Sequence, residues 1–205
     1  MEAQVENKYS ETEDESFGEL RGKQRKYRVC YLNARSLINK LDAVSEFVEN
    51  IGGADFICVS ETWFGEGDAK YANINGYELL HSDRIGKEGR GVAIYIKNGY
   101  ATRQISKKST FTFDILKVSL QKKQIKVEII LVYNSHKSNV PLMLGDLEVF
   151  LSSSLNQNVI LLGDFNLDLF DAKVVSSSYV EMLNTYNFKW LNMKFPTRES
   201  VTTKT

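Results

Sequence analysis

Cysteine is nearly absent: Cys30 and Cys58 are the only two in 205 residues. Each sits inside a short apolar run, which argues against a disulfide framework or a thiolate metal site. Both read as small buried hydrophobes in a reducing compartment. No apolar stretch approaches the roughly 20 residues needed to span a bilayer, so no membrane partner is expected. Met1–Ser16 is acidic rather than basic and then apolar, which excludes a secretory signal and leaves an intracellular chain. Histidine is equally scarce, with His81 and His136 alone. Net charge is zero. The global positive field of a dedicated nucleic-acid binder is therefore missing, and any DNA contact has to be local, through a patch or a metal-filled cleft.

What the chain does have is a core. Apolar residues make up 42% and aromatics 11%, enough for one domain that buries roughly 70% of its unfolded surface. Charge is unevenly placed. Residues 1–20 hold seven acids against Lys8, a net −6, and residues 21–28 hold five bases and no acid, a net +5. The other 177 residues come to +1. Residues 1–24 read as a flexible charged leader and 25–205 as the folded domain. Arg21–Arg28 reads as a solvated run into the first strand; the short cluster leaves nuclear import open.

Four β-branched-rich runs each stop on a polar residue. Arg28–Leu32 runs into Asn33, Phe56–Ser60 into Glu61, Ile129–Val132 into Tyr133, and Val159–Gly163 into Asp164, with Asn166 two places on. Such runs suit strands buried on both faces, and strand ends are where side chains leave the core and meet ligands. Between the first two, Leu37, Leu41, Val44, Val48 and Ile51 recur at helical spacing, with Ser36 as N-cap and Gly52-Gly53 as a stop. That helix predicts a parallel strand pair. Residues 76–133 read as a run of strands, with Gly91–Lys97, Phe113–Leu120 and Gln124–Tyr133 the clearest. A second helix is predicted from Pro141 to about Leu155, and a third from Ser178, where Ser178 and Glu181 have capping-box spacing. The pattern predicts an α/β sandwich.

The strand-end residues have complementary chemistry. Glu61 suits Mg²⁺, which takes one or two carboxylates plus water and phosphate oxygens; a helix-start acid is the plainer reading. Asn33 falls beside it if the two strands are neighbours. Asp164 and Asn166 offer an acceptor and an amide donor to a water at a phosphoryl centre, or else form an Asx turn. Gly163 lets another backbone or a phosphate come close. Tyr133 is placed to donate to a phosphate oxygen, or simply packs.

Leu32-Asn33-Ala34-Arg35-Ser36-Leu37, Ser60-Glu61-Thr62-Trp63, Gly91-Val92-Ala93-Ile94-Tyr95, Gly163-Asp164-Phe165-Asn166 and Phe195-Pro196-Thr197-Arg198 occur in this order. Together they resemble the endonuclease/exonuclease/phosphatase superfamily, and within it the apurinic-endonuclease-like domain of non-LTR (LINE-type) retrotransposons. The resemblance covers about residues 27–205. It implies a four-layered α/β sandwich of the DNase I-like type that hydrolyses phosphodiesters with Mg²⁺ or Mn²⁺, with DNA as substrate. It implies Glu61 and Asn33 as metal residues and Tyr133, Asp164 and Asn166 as catalytic residues. Thr197 then contacts phosphate.

The resemblance also marks departures. Relatives follow the Pro-Thr-Arg segment with an Ile-Asp aspartate and then a Ser-Asp-His whose histidine is essential. Neither occurs here. His81 lies in the reverse order, His-Ser-Asp, and His136 follows Tyr133 by three residues; both read as surface histidines. The expectation is a nuclease domain truncated at its C-terminus, lacking closing strands and weak by the 10²–10⁴-fold that acid–base assistance typically contributes. Two alternatives stay open: a phosphatase or exonuclease of the same fold, and a non-catalytic nucleic-acid-binding or interaction remnant.

Overall fold

A computed structural model of the protein describes residues 27–83, 90–135, 139–154, 158–167 and 174–189. The leader 1–24, His136 and the Thr197 segment lie outside the described residues.

The apolar runs form two four-stranded sheets. The first contains β1 (Val29–Asn33), β2 (Phe56–Ser60), β3 (Tyr77–Ser82) and β4 (Val92–Lys97), in the order β1-β2-β4-β3. The second runs β5-β6-β7-β8, with β5 at Ala101–Ser109, β6 at Phe113–Lys122, β7 at Ile125–Asn134 and β8 at Asn158–Asp164. Among these strands, β1–β2 and β7–β8 pair in parallel and the other described pairings are antiparallel. Each parallel pair is linked through a helix, α1 (Leu41–Asn50) or α2 (Val140–Ser152). A third helix, α3, spans Val174–Thr185.

Period-two alternation builds the layers. Cys58, Ile94 and Val92 of the first sheet face Leu116, Val118, Ile129 and Leu131 of the second, closing an inter-sheet core. Their neighbours Ile57, Val59 and Tyr95 turn outward onto Val44 and Val48 of α1. On the far side, Ile115, Ile130 and Val132 turn outward onto Met143, Leu147 and Leu151 of α2 and Leu183 of α3. Helix, sheet, sheet, helices: this is the expected four-layered α/β sandwich. Every residue of β2 is buried, and each such Val, Ile or Phe contributes roughly 1.5–3 kcal/mol of burial free energy. Among the described residues no helix is long and apolar enough to cross a membrane.

Two helix starts differ from expectation. Ser36 is no cap: a 3-10 turn, Ile38–Lys40, precedes α1, whose N-cap Lys40 makes no side-chain capping bond. Ser36 itself is left-handed at φ +77°, and its Oγ accepts from Asn39 Nδ2. Helix α3 begins at Val174, so Ser178 lies a turn inside it. The glycine stop of α1 is as expected. Gly52 and Gly53 are both left-handed, and their N–H groups close onto Glu49 O and Val48 O. Pro141 sits in the first turn of α2, where Asn139 Oδ1 accepts from Leu142 N.

Candidate active site at the strand ends

Strand polarity and register decide where the chemistry gathers. β1 and β2 run in parallel with Asn33 opposite Ser60, and β7 and β8 run in parallel with Tyr133 opposite Asp164. Alternation turns Asn33 and Tyr133 toward the space between the sheets, on the faces that carry Val29 and Leu131. All four strands end at one rim of the sandwich, and their terminal side chains bond to one another there.

Asn33 is the hub. Its Nδ2 donates to Glu61 Oε1 at 2.8 Å and to Asp164 Oδ2 at 3.1 Å. The second bond bridges the sheets, and together the two hold Glu61 Oε1 and Asp164 Oδ2 no more than about 6 Å apart. The Tyr133 phenol hydrogen-bonds Glu61, and its pKa is pushed from 10.0 up to about 12. Burial is the main cause; the charge of Glu61, its hydrogen bond and the charge of Asp164 add to it, while Arg90 opposes them. The phenol is therefore a neutral donor at ordinary pH. Burial likewise raises Tyr31, whose hydroxyl lies 2.8 Å from Ser60 Oγ and whose ionisation Asp164 and Glu61 also oppose.

Asp164 and Asn166 combine both sequence readings. Asp164 Oδ1 accepts from the Asn166 backbone N–H at 3.2 Å, an Asx turn, while Oδ2 reaches Asn33. Asn166 is left-handed at φ +48°, and its Nδ2 donates to Asn134 O. In return Asn134 Nδ2 donates to Phe165 O at 2.9 Å. Asn166 thus locks the loop to the end of β7 and is not bonded to Asn33 or Glu61. Gly163 admits a neighbouring backbone, as expected: at φ +144° a Cβ there would collide with the carbonyl of Val132 on β7.

The backbone is unusual at this rim. Arg35, Ser36, Glu61, Trp63, Arg90 and Asn166 all have positive φ, a conformation that costs about 1–3 kcal/mol per non-glycine residue and gathers at functional sites. The loops leaving β1 and β2 stay zipped together, with Ser36 N–H on Glu61 O at 3.0 Å and Leu37 N–H on Thr62 O at 2.9 Å. Glu61 is therefore held from both sides, and the helix-start reading of its carboxylate falls away. Two residues at the site had not been singled out. Tyr31 was readable from its i, i+2 relation to Asn33. Arg90 had only its place beside Gly91 as a signal.

Among the described residues, no Lys or Arg makes an ion pair with Glu61 or Asp164. No group of three or more His, Cys, Asp or Glu forms a metal cage either. Two carboxylates near each other, neither ion-paired to a side chain among the described residues, still fit a hard divalent cation, which needs few protein ligands when water and phosphate supply the rest. Glu61 and the Asn33 amide oxygen would be the groups to hold it. His81 stands elsewhere, on the outer face of the first sheet. Its ring meets Phe64 edge-on at 5.8 Å, and Nδ1 lies 2.6 Å from Asp83 Oδ2.

A sequence model described as the Endonuclease/Exonuclease/phosphatase family matches residues 28–177. The chain belongs to this family. Solved structures share the fold. TDP2 from C. elegans matches with TM-score 0.57 and 18% identity, over 72% of this chain and 50% of that one. ANGEL2, described as a 2',3'-cyclic phosphatase, gives 0.59 and 16% over 76% and 56%. D. rerio TDP2 in complex with single-strand DNA product gives 0.55 and 13% over 78% and 64%. The chain thus spans about half the length of the C. elegans TDP2 chain it matches. No curated protein sequence matches it.

Proposed function

We propose that this member of the endonuclease/exonuclease/phosphatase family is a divalent-metal phosphodiesterase domain that acts on DNA, of the non-LTR retrotransposon endonuclease type. The observation that carries the reading is the Asn33 amide shared by Glu61 and Asp164, with the Tyr133 phenol on Glu61. Mg²⁺ or Mn²⁺ at Glu61 and Asn33 would supply Lewis-acid polarisation of a phosphoryl oxygen. The chain's own groups do the rest. Tyr133, held protonated, donates to a phosphate oxygen; Asp164 accepts from and aims the attacking water. Asn166 fixes Asp164 through the Asx turn, and Thr197 is assigned to the phosphate. The Asn-Ala-Arg-Ser and Ser-Glu-Thr-Trp wording supports the retrotransposon branch. The DNA product bound to D. rerio TDP2 supports DNA as substrate class.

Conversion of supercoiled plasmid to open circles in Mg²⁺ tests this. Glu61→Ala and Asp164→Ala should each abolish what the wild type shows, and activity that survives both counts against the site.

A specific observation favours slow turnover. These 205 residues contain two histidines, and His81 is committed to Asp83 and Phe64 on the outer sheet face. Among the described residues no imidazole reaches the cleft, and without one acid–base assistance worth 10²–10⁴-fold would be missing. A chain that binds DNA through the same cleft but nicks it scarcely above background is the form this reading takes, and it merges there with the non-catalytic alternative.

A further inference from the structure

The segment after Glu61 holds a large apolar side chain outside the core. Trp63 is 45% exposed, while Thr62 before it is fully buried. Glu61 and Trp63 are both left-handed at φ +54°, a conformation that is a genuine outlier for a bulky residue. The strain is fixed from below. Thr62 N–H and Trp63 N–H donate to Gly91 O at 3.3 Å and Arg90 O at 2.7 Å. A Cβ on Gly91 would come within 2.5 Å of Thr62 Oγ1, so the two segments are keyed together. An indole placed for packing would be buried, with only its N–H seeking a partner. Here the chain accepts both strain and apolar exposure to hold an indole two residues from the candidate metal carboxylate.

Two guanidinium groups complete the surroundings. Arg35 is exposed on the loop zipped to Glu61 from the other side. Arg90 is anchored by a bond from its Nη1 to Phe111 O, and its charge is felt at the Tyr133 phenol. In a chain of zero net charge, an exposed indole with an arginine on each of the two segments bonded to its loop forms a local surface suited to a base face flanked by phosphates. A paired duplex keeps its base faces stacked inside; only an unpaired base offers one.

We propose that Trp63 is a stacking platform for an unpaired nucleobase next to the scissile phosphate, so that this cleft prefers single-stranded or locally opened DNA to a closed duplex. The proposal rests on the phosphodiesterase reading for the position of that phosphate, and extends it to the form of the substrate.

The test uses the full chain, without added metal, and the anisotropy of a labelled single-stranded oligodeoxynucleotide. Trp63→Ala should weaken binding about tenfold or more, within the range that loss of one base-stacking partner produces, and Trp63→Phe should retain most of it. An all-abasic strand of the same length should bind wild type and Trp63→Ala alike. The indole emission by which wild type exceeds Trp63→Phe should be quenched by the normal strand and not by the abasic one, a readout that survives poor folding of the alanine variant. Equal losses on normal and abasic strands, or no quenching, overturn the platform. Plasmid nicking by the wild type with unchanged single-strand affinity in Trp63→Ala overturns the platform and leaves the hydrolase. Absent nicking with base-dependent quenching does the reverse.

Discussion

Asn33 illustrates how a single amide sets the electrostatics of this rim. Two carboxylates within about 6 Å repel, by roughly 1–3 kcal/mol at effective dielectric constants of 80 down to 20. One Nδ2 donating to both offsets that and fixes their spacing. Asn33→Asp removes the donor and adds a third anion. It should remove whatever Mg²⁺-dependent plasmid nicking the wild type shows above background, unless the new carboxylate takes over the metal. A variant as active as wild type, at unchanged Mg²⁺, would show that the bridge is incidental. Gly163 is as sharp a case. Alanine there meets the Val132 carbonyl in a backbone region that L-residues avoid, so Gly163→Ala should lower unfolding free energy by about 3 kcal/mol, the combined scale of overpacking and strain. Urea denaturation measures it, and a loss below about 1 kcal/mol would mean that β8 shifts without cost. At this scale Asn33, Glu61, Tyr133 and Asp164 were legible because a polar residue closing an apolar run has few other reasons to be there. Arg90 was not, since its place depends on a loop from another strand.

Among the elements, β5 and α2 show what periodicity can and cannot reveal. β5 is an edge strand whose residues are mostly exposed, with Arg103, Lys107 and Lys108 along it. Charges of this kind guard an edge against pairing with other chains; they also erase the apolar signature of a strand, so β5 shows in the sequence only as part of a longer stretch of strands. The start of α3 was misplaced for a related reason, as Ser178 and Glu181 have capping spacing inside a helix as well as at its start. Helix α2 was legible from Pro141 and its leucines, but what anchors its end was not. Lys117 on β6 is buried and donates to Phe150 O, Ser153 Oγ and Ser154 Oγ at 3.1, 2.8 and 2.5 Å, and it lies 3.2 Å from Glu128 on β7. Burial alone would raise the Glu128 pKa; hydrogen bonds from Ser119, Ser154 and Lys117, with the Lys117 charge, hold it below 4.5 instead. Lys117→Met leaves that carboxylate buried and unpaired. It should cost about 3–5 kcal/mol in thermal or urea unfolding, and Lys117→Met with Glu128→Leu should cost clearly less. Equal costs would show that the helix contacts matter and the ion pair does not.

Tyrosines between the layers tie the elements to alkaline pH. Tyr31, Tyr95, Tyr133 and Tyr179 are all raised, with burial the first cause in each. The folded state holds these phenolic protons at pH values where the unfolded chain releases them, so their contribution is complete below pH 10.0 and is lost as pH rises. For Tyr133 the loss runs from 10.0 to about 12. Urea midpoints should fall across that window, and Tyr133→Phe should make the fall shallower. An unchanged slope would place the Tyr133 phenol in water.

For the molecule as a whole, zero net charge constrains the DNA binding proposed above. The four layers were readable from strand-helix alternation. The strand-end pattern predicts that the tips of β1, β2, β7 and β8 converge, but the register that brings them to one rim is set by the packed sheets. With the cleft in place, Arg35 and Arg90 sit on the two segments hydrogen-bonded to the Glu61–Trp63 loop. A protein that neutralises Z phosphates shows a slope of about −0.9Z in log affinity against log salt on duplex and about −0.7Z on single strands. Two or three phosphates, counting a bound divalent cation, give a single-strand slope of about −1.5 to −2. Lysines farther from the rim, such as Lys122, Lys123 and Lys126 around the β6–β7 turn, offer the competing surface at the opposite end of the sandwich. DNA lying there would follow a slope of about −2 for these three lysines, insensitive to Arg35→Ala and Arg90→Ala. Anisotropy titrations of a single strand across a salt series decide between the two. A slope that flattens when both arginines are replaced puts the strand in the cleft beside Glu61, where an otherwise neutral protein needs its few cations to lie.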